Sequence, residues 1–378
     1  MEVNVTVAEP ADRPAYQAFL PADSAVQFLD PEGRPVDGGA RYPRPDADRL
    51  LAMYRNMVLG RRFDEQATAL TKQGRLAVYP SSRGQEACQI AAAMCLHSDD
   101  WLFPTYRDSM ALAARGIDTV DILRFLAGDW HCCFDPAQHR TAPQATPLAT
   151  QLLHAAGLAH ALARKGSDTA VLALCGDGAT SEGDFHEALN FAAVFRAPVI
   201  FLVQNNGFAI SVPLARQSVA PSLAHKGIGY GMGSEQVDGN DPVAMLAVLD
   251  AAREYVLAGN GPVIVEAHTY RMSGHTNADD PLRYRTDDEL DEWLARDPIQ
   301  RLEIHLRAEG LLDDTYVAAV ASDAEDLAAT TRAGMNRDRP VDVDDLFRYV
   351  YAQPTSQLRE QHAQARADFT AQLSEDRP

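Results

Sequence analysis

The chain has 378 residues, 46% of them hydrophobic, with 34 basic against 53 acidic side chains and a formal charge of −19. That balance excludes sequence-independent binding of nucleic acid, which needs clustered Lys and Arg against phosphate, and attraction to an anionic membrane surface. The opening MEVNVTVAEPADRPAYQAF has no basic segment ahead of an apolar one, and no apolar run reaches about eighteen residues, so neither a secretory signal nor a membrane span is expected.

Residues 1–46 are rich in Pro, Asp and Gly (LDPEGRPVDGGARYPRPDADRL) and read as an extended N-terminal arm. From Ala47 to Lys72 the pattern predicts a helix with Leu50, Met53, Tyr54, Met57 and Val58 on one face. GQEACQIAAAMCL (Gly84 to Leu96) is a second helix, whose small residues suit close packing. DWLFPTY leads into the helical RDSMALAARG. ATQLLHAAGLAHALARKG is a helix ending on Gly166, a candidate left-handed C-cap. TAVLALC (strand), SEGDFHEALNFAAVFR (helix), APVIFLVQNN (strand), DPVAMLAVLDAAREYVLAG (helix) and GPVIVEAHTY (strand) follow.

These strands are continuous apolar runs rather than alternating ones, the pattern of strands buried on both faces. An α/β class is therefore expected, with a mostly parallel sheet flanked by helices. Beyond Asp287 the chain is mostly charged helix, and residues 351–378 read as a helical C-terminal extension. No linker interrupts residues 47–350, so that span is expected to be one domain. The cysteines are Cys88, Cys95, Cys132, Cys133 and Cys175, an odd set without zinc spacing, as expected of reduced thiols in a cytoplasmic chain. The adjacent Cys132 and Cys133 are the one candidate redox pair, but the sequence shows no electropositive setting around them.

In LALCGDGATSEGDFHEALNF (Leu172 to Phe191) an apolar run stops at Gly176-Asp177-Gly178 and an amphipathic helix begins just behind it. Ligands of open parallel sheets bind beyond the carboxyl ends of the strands. Glycines let the backbone approach closely, and free N–H groups at a helix start favour phosphate. Ser181 and Asp184 have the spacing of a capping box, which would start the helix there. Asp177 would repel a bare phosphate, so acid and phosphate belong together only with a divalent cation between them. APVIFLVQNNGFAIS delivers Asn205-Asn206 at the end of the neighbouring strand. Asp177, the Asn206 side-chain oxygen and a nearby backbone carbonyl, with a diphosphate, would satisfy the octahedral preference of Mg2+. Alone, the Gly-Asp-Gly is equally a plain strand-to-helix turn. A dinucleotide fingerprint is disfavoured, since no G-x-G-x-x-G is present and the acid lies inside the turn.

Gly176-Asp177-Gly178, twenty-six residues, then Asn205-Asn206 resembles the thiamine-diphosphate motif of transketolase-like enzymes. Over roughly Ala47 to Phe369 the chain resembles the α subunit of the E1 component of 2-oxo acid dehydrogenases. The pieces are GQEA (Gly84 to Ala87), PTYRD (Pro104 to Asp108), PLATQ (Pro147 to Gln151), GDGATSEGDFHEALNFA, QNNGFAIS, VDGNDP and TYRMSGHTNADDPLRYRT, in the family's order. The resemblance implies the diphosphate-binding half of a thiamin diphosphate-binding fold, with thiamine diphosphate and Mg2+ as cofactors. It implies cofactor contacts from Tyr106, Arg107, Thr146, Leu148, Gly176, Gly178, Ala179, Gln204 and His275, the last also as a catalytic loop histidine. It implies Asp177, Asn206 and Phe208 around the Mg2+, and a K+ site at ATPLATQ formed by Ala145, Pro147, Thr150 and Gln151.

An arginine such as Arg107 forks onto phosphate oxygens in a way lysine does not. The bland alternatives are a surface salt bridge for Tyr106-Arg107, a solvated loop histidine for His275 and core packing for Leu148, which the resemblance makes the apolar prop of the bent cofactor. Gln204 departs from relatives that often carry a charged residue there. The position phosphorylated in mitochondrial relatives is Thr276 here, a departure that speaks against the same kinase control.

The implied reaction decarboxylates a 2-oxo acid and passes the acyl unit reductively to a lipoyl group on an E2 component. The glutamate that activates the cofactor ring comes from a β subunit in this family, so neither Glu86 nor Glu182 is assigned that role. The chain is expected to act only within an α2β2 heterotetramer. TPLATQ, GNDP and LFRYVYAQPTSQLREQ resemble the branched-chain enzyme, whereas AVYPSSRGQEACQIA and VFRAPVIFLVQNNGFAIS resemble bacterial pyruvate dehydrogenase. A branched-chain 2-oxo acid is the favoured substrate and pyruvate the alternative. Two other classes compete: a self-contained transketolase-type transferase, for which 378 residues leave no second domain, and a non-catalytic α-like scaffold.

Overall fold

In the computed structural model, which describes residues 20–39, 41–128, 134–337 and 342–375, Asp46 caps the first long helix by accepting from the Arg49 amide at 2.8 Å. This helix, α1 (Ala47–Lys72), buries Leu50, Met53, Tyr54 and Met57. Next come α2 (Glu86–Met94), β1 (Trp101–Phe103), α3 (Ser109–Ala114), α4 (Thr119–Leu126), α5 (Pro136–His139), α6 (Thr150–Arg164) and β2 (Val171–Gly176). They are followed by α7 (Gly183–Phe195), β3 (Val199–Asn205), the hairpin β4 (Phe208–Ala209) and β5 (Val212–Pro213), α8 (His225–Tyr230), β6 (Gly233–Asp238), α9 (Pro242–Tyr255) and β7 (Val263–His268). The helices α10 (Asp287–Leu294), α11 (Pro298–Ala308), α12 (Asp314–Met335), α13 (Asp345–Arg348) and α14 (Ser356–Glu375) complete the chain.

The central sheet has the order β1-β2-β3-β7-β6, with every pair parallel. Successive side chains of a strand point to opposite faces, and here both faces are covered. Leu172 and Leu174 of β2, with Ile200 and Leu202 of β3, join the core built by α1, α2 and α9. Val171, Ala173 and Cys175, with Val199, Phe201 and Val203, pack instead against α6 and α7 through Leu152, Ala156, Phe185 and Leu189. Two-sided burial is why these strands carry unbroken apolar runs. Gly166 closes the turn after α6 with φ +72°, as its position predicted.

Besides the two-residue strands β4 and β5, β6 escaped the sequence reading. β6 (GSEQVD) has no apolar run, although it is buried, because its polar residues have partners inside the protein. The buried Glu235 accepts from the Tyr42 hydroxyl and pairs with Arg41. The lead-in also differs from a free arm over its described part. Val26 bridges to Val237 of β6, and the amides of Phe28 and Leu29 each donate to Asp241 Oδ2 at 2.7 Å. The Arg301 guanidinium, fully buried, donates to the Leu29 and Asp30 carbonyls. The remainder of the expected arm, residues 1–19 and 40, lies outside the described residues, as do Cys132 and Cys133. Cys88, Cys95 and Cys175 are buried, and burial pushes their thiols well up, away from reactivity. Among the described residues no helix is long and apolar enough to cross a membrane.

Candidate functional site

Ladder register decides which residues leave the sheet together. β2 and β3 pair Gly176 with Gln204, so Asp177 and Asn205-Asn206 emerge side by side. β3 and β7 pair Asn205 with His268, which sends residues 269–271 out beside them. Tyr106 and Arg107 follow β1, which pairs with β2. These four strand ends surround a cavity of about 520 Å³. Tyr106, Arg107, Thr146, Leu148, Gly176, Asp177, Gly178, Ala179, Gln204, Asn206, Phe208 and His275 all line it. Leu148 is 43% exposed there, so it is no core residue.

The acidic side of the cavity is Asp177, which is 1% exposed. Burial raises its pKa, while a 2.7 Å hydrogen bond from Gln217 Nε2, the field of Arg271 and the Asn206 amide favour the charged form. The turn carrying Asp177 is a 3-10 segment, Asp177–Ser181, rather than the start of α7. Glu182 stands at the N-cap of α7 and makes no side-chain capping bond. The expected capping box is therefore not formed, because Asp184 instead accepts from the Thr150 hydroxyl at 2.9 Å. Gly178 is required by packing: a β-carbon there would stand 2.7 Å from the Ala209 Cβ of the hairpin. Gly84, at φ +98°, has no room either, since its β-carbon would meet the Tyr270 carbonyl at 2.2 Å.

Asn206 is oriented by a relay of buried amides. Its Nδ2 donates to Gln85 Oε1 at 3.2 Å, and Gln85 Nε2 donates to Gln204 Oε1 at 2.9 Å. Gln204 Nε2 donates in turn to Asp108 Oδ1 at 2.7 Å, whose Oδ2 takes the Thr105 amide at 2.6 Å. Both polar atoms of Gln204 are thus engaged within the protein. The relay leaves the Asn206 carbonyl oxygen with one weak donor, the Phe208 amide at 3.3 Å.

The cationic side holds two buried guanidiniums. Arg107 donates to the Ser81 carbonyl at 2.8 Å, and its Nη2 reaches the His275 carbonyl at 3.0 Å and ring Nδ1 at 3.1 Å. Arg271 Nη1 lies 3.2 Å from the same Nδ1, while its Nη2 donates to the Ile210 carbonyl and the Tyr284 hydroxyl at 3.0 and 2.8 Å. Because both neighbours are donors, Nδ1 must be the acceptor, which leaves the imidazole proton on Nε2. Burial and then the fields of Arg107 and Arg271 lower the His275 pKa to about 4, so the ring is neutral at pH 7. Ile210, a β-branched residue at φ +58°, is held in that strained conformation at the cavity wall.

This donor set fits a polyanion with a divalent cation. Among the described residues every hydrogen bond of Arg107 and Arg271 ends on a neutral acceptor, so neither has a direct salt-bridge partner. The carboxylates of Asp64 and Asp108 act on Arg107, and those of Asp177 and Asp279 on Arg271, only through their fields. Facing them are one carboxylate and amide oxygens, the hard ligands that Mg2+ selects. A surface salt bridge does not describe Arg107, which is 6% exposed, and His275 is half-buried with its Nδ1 against two guanidiniums rather than free in solvent.

Ala145, Pro147, Thr150 and Gln151 do not line the cavity. Gln151 Nε2 donates to the Leu148 and Leu174 carbonyls at 3.2 and 2.9 Å, while its Oε1 is buried without a partner. The orphaned Gln151 acceptor is compatible with a monovalent cation, whereas the Thr150 hydroxyl donates to Asp184. Sequence reading missed Arg271, Gln85, Asp108 and Gln217. The first three sit inside motifs quoted for other residues, next to Tyr270, Gly84 and Arg107; nothing in the sequence marked Gln217. Neither Glu86 nor Glu182 offers a second buried carboxylate to the cavity. Glu86 pairs with Arg61 at 2.7 Å, and Glu182 is exposed at the rim.

Residues 54–332 match the family described as dehydrogenase E1 component. The 3-methyl-2-oxobutanoate dehydrogenase subunit alpha of Mycobacterium tuberculosis is 43% identical over 364 residues, 96% of this chain and 99% of that protein. The pyruvate dehydrogenase E1 component subunit alpha of Staphylococcus epidermidis, like that of Staphylococcus aureus, is 36% identical over 340 residues, 89% of this chain and 91% of each relative.

Proposed function

We propose, on the premise that this chain belongs to the dehydrogenase E1 component family, that it is the α subunit of a branched-chain 2-oxo acid dehydrogenase E1. Its cavity would hold the diphosphate of thiamine diphosphate and the accompanying Mg2+. When bound, the cofactor supplies the nucleophilic carbon and the electron sink for decarboxylation. The observation that carries this reading is that two buried guanidiniums without a direct salt-bridge partner, Arg107 and Arg271, line one cavity with the buried carboxylate of Asp177.

In this reading Arg107, with Tyr106, grips diphosphate oxygens, and His275 donates its Nε2 proton to an anionic oxygen. Asp177, the Asn206 side-chain oxygen and the Phe208 carbonyl hold the cation. Gln204 contributes by fixing the amide relay that aims Asn206. Leu148 and Ile210 give the cavity an apolar wall against which a heterocycle can bend. Thr150 and Gln151, with the carbonyls of Ala145 and Pro147, hold K+. The missing carboxylate is supplied by a β subunit in an α2β2 assembly, and the acyl unit goes to a lipoyl-bearing E2 component. The higher identity and fuller coverage of the 3-methyl-2-oxobutanoate relative favour a branched-chain substrate; the pyruvate-named relatives at 36% support pyruvate as the second reading.

Co-expression with a β-like chain and ferricyanide-coupled turnover tests this. 2-Oxoisovalerate should be consumed faster than pyruvate, and Asp177→Ala should abolish Mg2+-dependent binding of thiamine diphosphate to the assembled complex. Turnover of pyruvate alone would replace the substrate and keep the family chemistry. Unchanged cofactor affinity in Asp177→Ala would remove the site.

A further inference from the structure

The backbone that carries Asn206 out of β3 returns to the same site. After the β4–β5 hairpin it passes through a 3-10 turn (Leu214–Arg216), whose first amide donates to the Gly207 carbonyl at 2.9 Å. It then places Gln217 against Asp177. Gln217 Nε2 donates to Asp177 Oδ2 at 2.7 Å and to the Val212 carbonyl at 2.9 Å. Two acceptors around that atom identify it as the nitrogen, so the amide's orientation is set by its partners. The hairpin between is seated on the acid's own turn, with Ala209 against Gly178. One side chain therefore ties the acid of one strand end to the segment bearing Asn206 and Phe208 from the next.

We propose that Gln217 is a positioning residue for the divalent cation. Its amide engages Oδ2 of Asp177, stops rotation of the carboxylate, and presents the remaining lone pairs to the cavity. This inference rests on the metal reading above. The physical reason is that a carboxylate with one oxygen already engaged has a single orientation to offer, whereas a free one loses rotational entropy on binding. Hydrogen bonds behind a liganding group are commonly worth about 10- to 100-fold in metal affinity. The Gln217 side-chain oxygen is buried without a partner, so among the described residues the side-chain amide's only hydrogen bonds are those its nitrogen donates to Asp177 and Val212.

The test is Mn2+ titration, read by electron paramagnetic resonance, of the assembled complex with thiamine diphosphate. Gln217→Ala removes the side chain, and Gln217→Met keeps its length and bulk while removing the donor. Both should weaken Mn2+ by about 10- to 100-fold, and the metal concentration giving half-maximal turnover should rise in step. Parental Mn2+ affinity in Gln217→Met would overturn the proposal, since bulk alone would then suffice. Parental affinity in Asp177→Ala would instead overturn the metal reading itself.

Discussion

Two stretches carry the ligand sets expected from sequence, and the fold treats them differently. The strand-end set, on β1, β2, β3 and β7, converges on one cavity. The stretch 145–151 divides: Thr146 and Leu148 reach the cavity, while Thr150 turns to Asp184 and Gln151 to the Leu174 carbonyl. Strand ends are placed by ladder register, which fixes neighbours to within one residue. A stretch entering a helix is placed by its own turns and by whatever side chains lie below, so adjacent residues can face different partners.

The largest expected effect tests the strand-end half. Arg107→Lys keeps the charge and loses the fork, and thiamine diphosphate affinity of the assembled complex, measured calorimetrically, should fall by about 2 kcal/mol, roughly 30-fold. A loss under about threefold would mean that the guanidinium geometry does not serve the anion.

A smaller effect concerns protonation. With a folded-state pKa of about 4 against an ordinary 6.5, His275 binds its proton more weakly in the folded than in the unfolded chain. Its contribution to stability is therefore undiminished above pH 6.5 and falls as pH drops from there through about 4. In the cofactor-free complex, an NMR titration should find the imidazole midpoint near 4, and Arg271→Gln should move it upward. A midpoint at 6.5 or higher in the parent would show that the two guanidiniums do not converge on this ring.

The smallest effect belongs to the other stretch. Thermal unfolding in KCl should exceed that in choline chloride by a few degrees, about 1–2 kcal/mol, and Gln151→Leu should erase the difference. Equal melting of the parent in both salts would remove the cation from this stretch and leave the strand ends untouched.

The sequence by itself determined the class of fold and the chemistry at the strand ends. Unbroken apolar runs report two-sided burial, and glycines and acids at the ends of such runs report a ligand. It also gave the span of α1, because Leu50, Met53, Tyr54 and Met57 recur at helical spacing without tertiary context. Tertiary structure alone decided the rest. β6 is polar and became a strand only because Tyr42, Arg41 and the neighbouring β7 satisfy it. Ser181 lost its helix cap once Asp184 found Thr150. Gln217 lies forty residues from Asp177 along the chain and touches it only because a hairpin folds back. Local pattern records which face of a segment is apolar. Which buried polar group answers another across the fold is settled by packing, where each unpaired donor or acceptor costs about 1–3 kcal/mol.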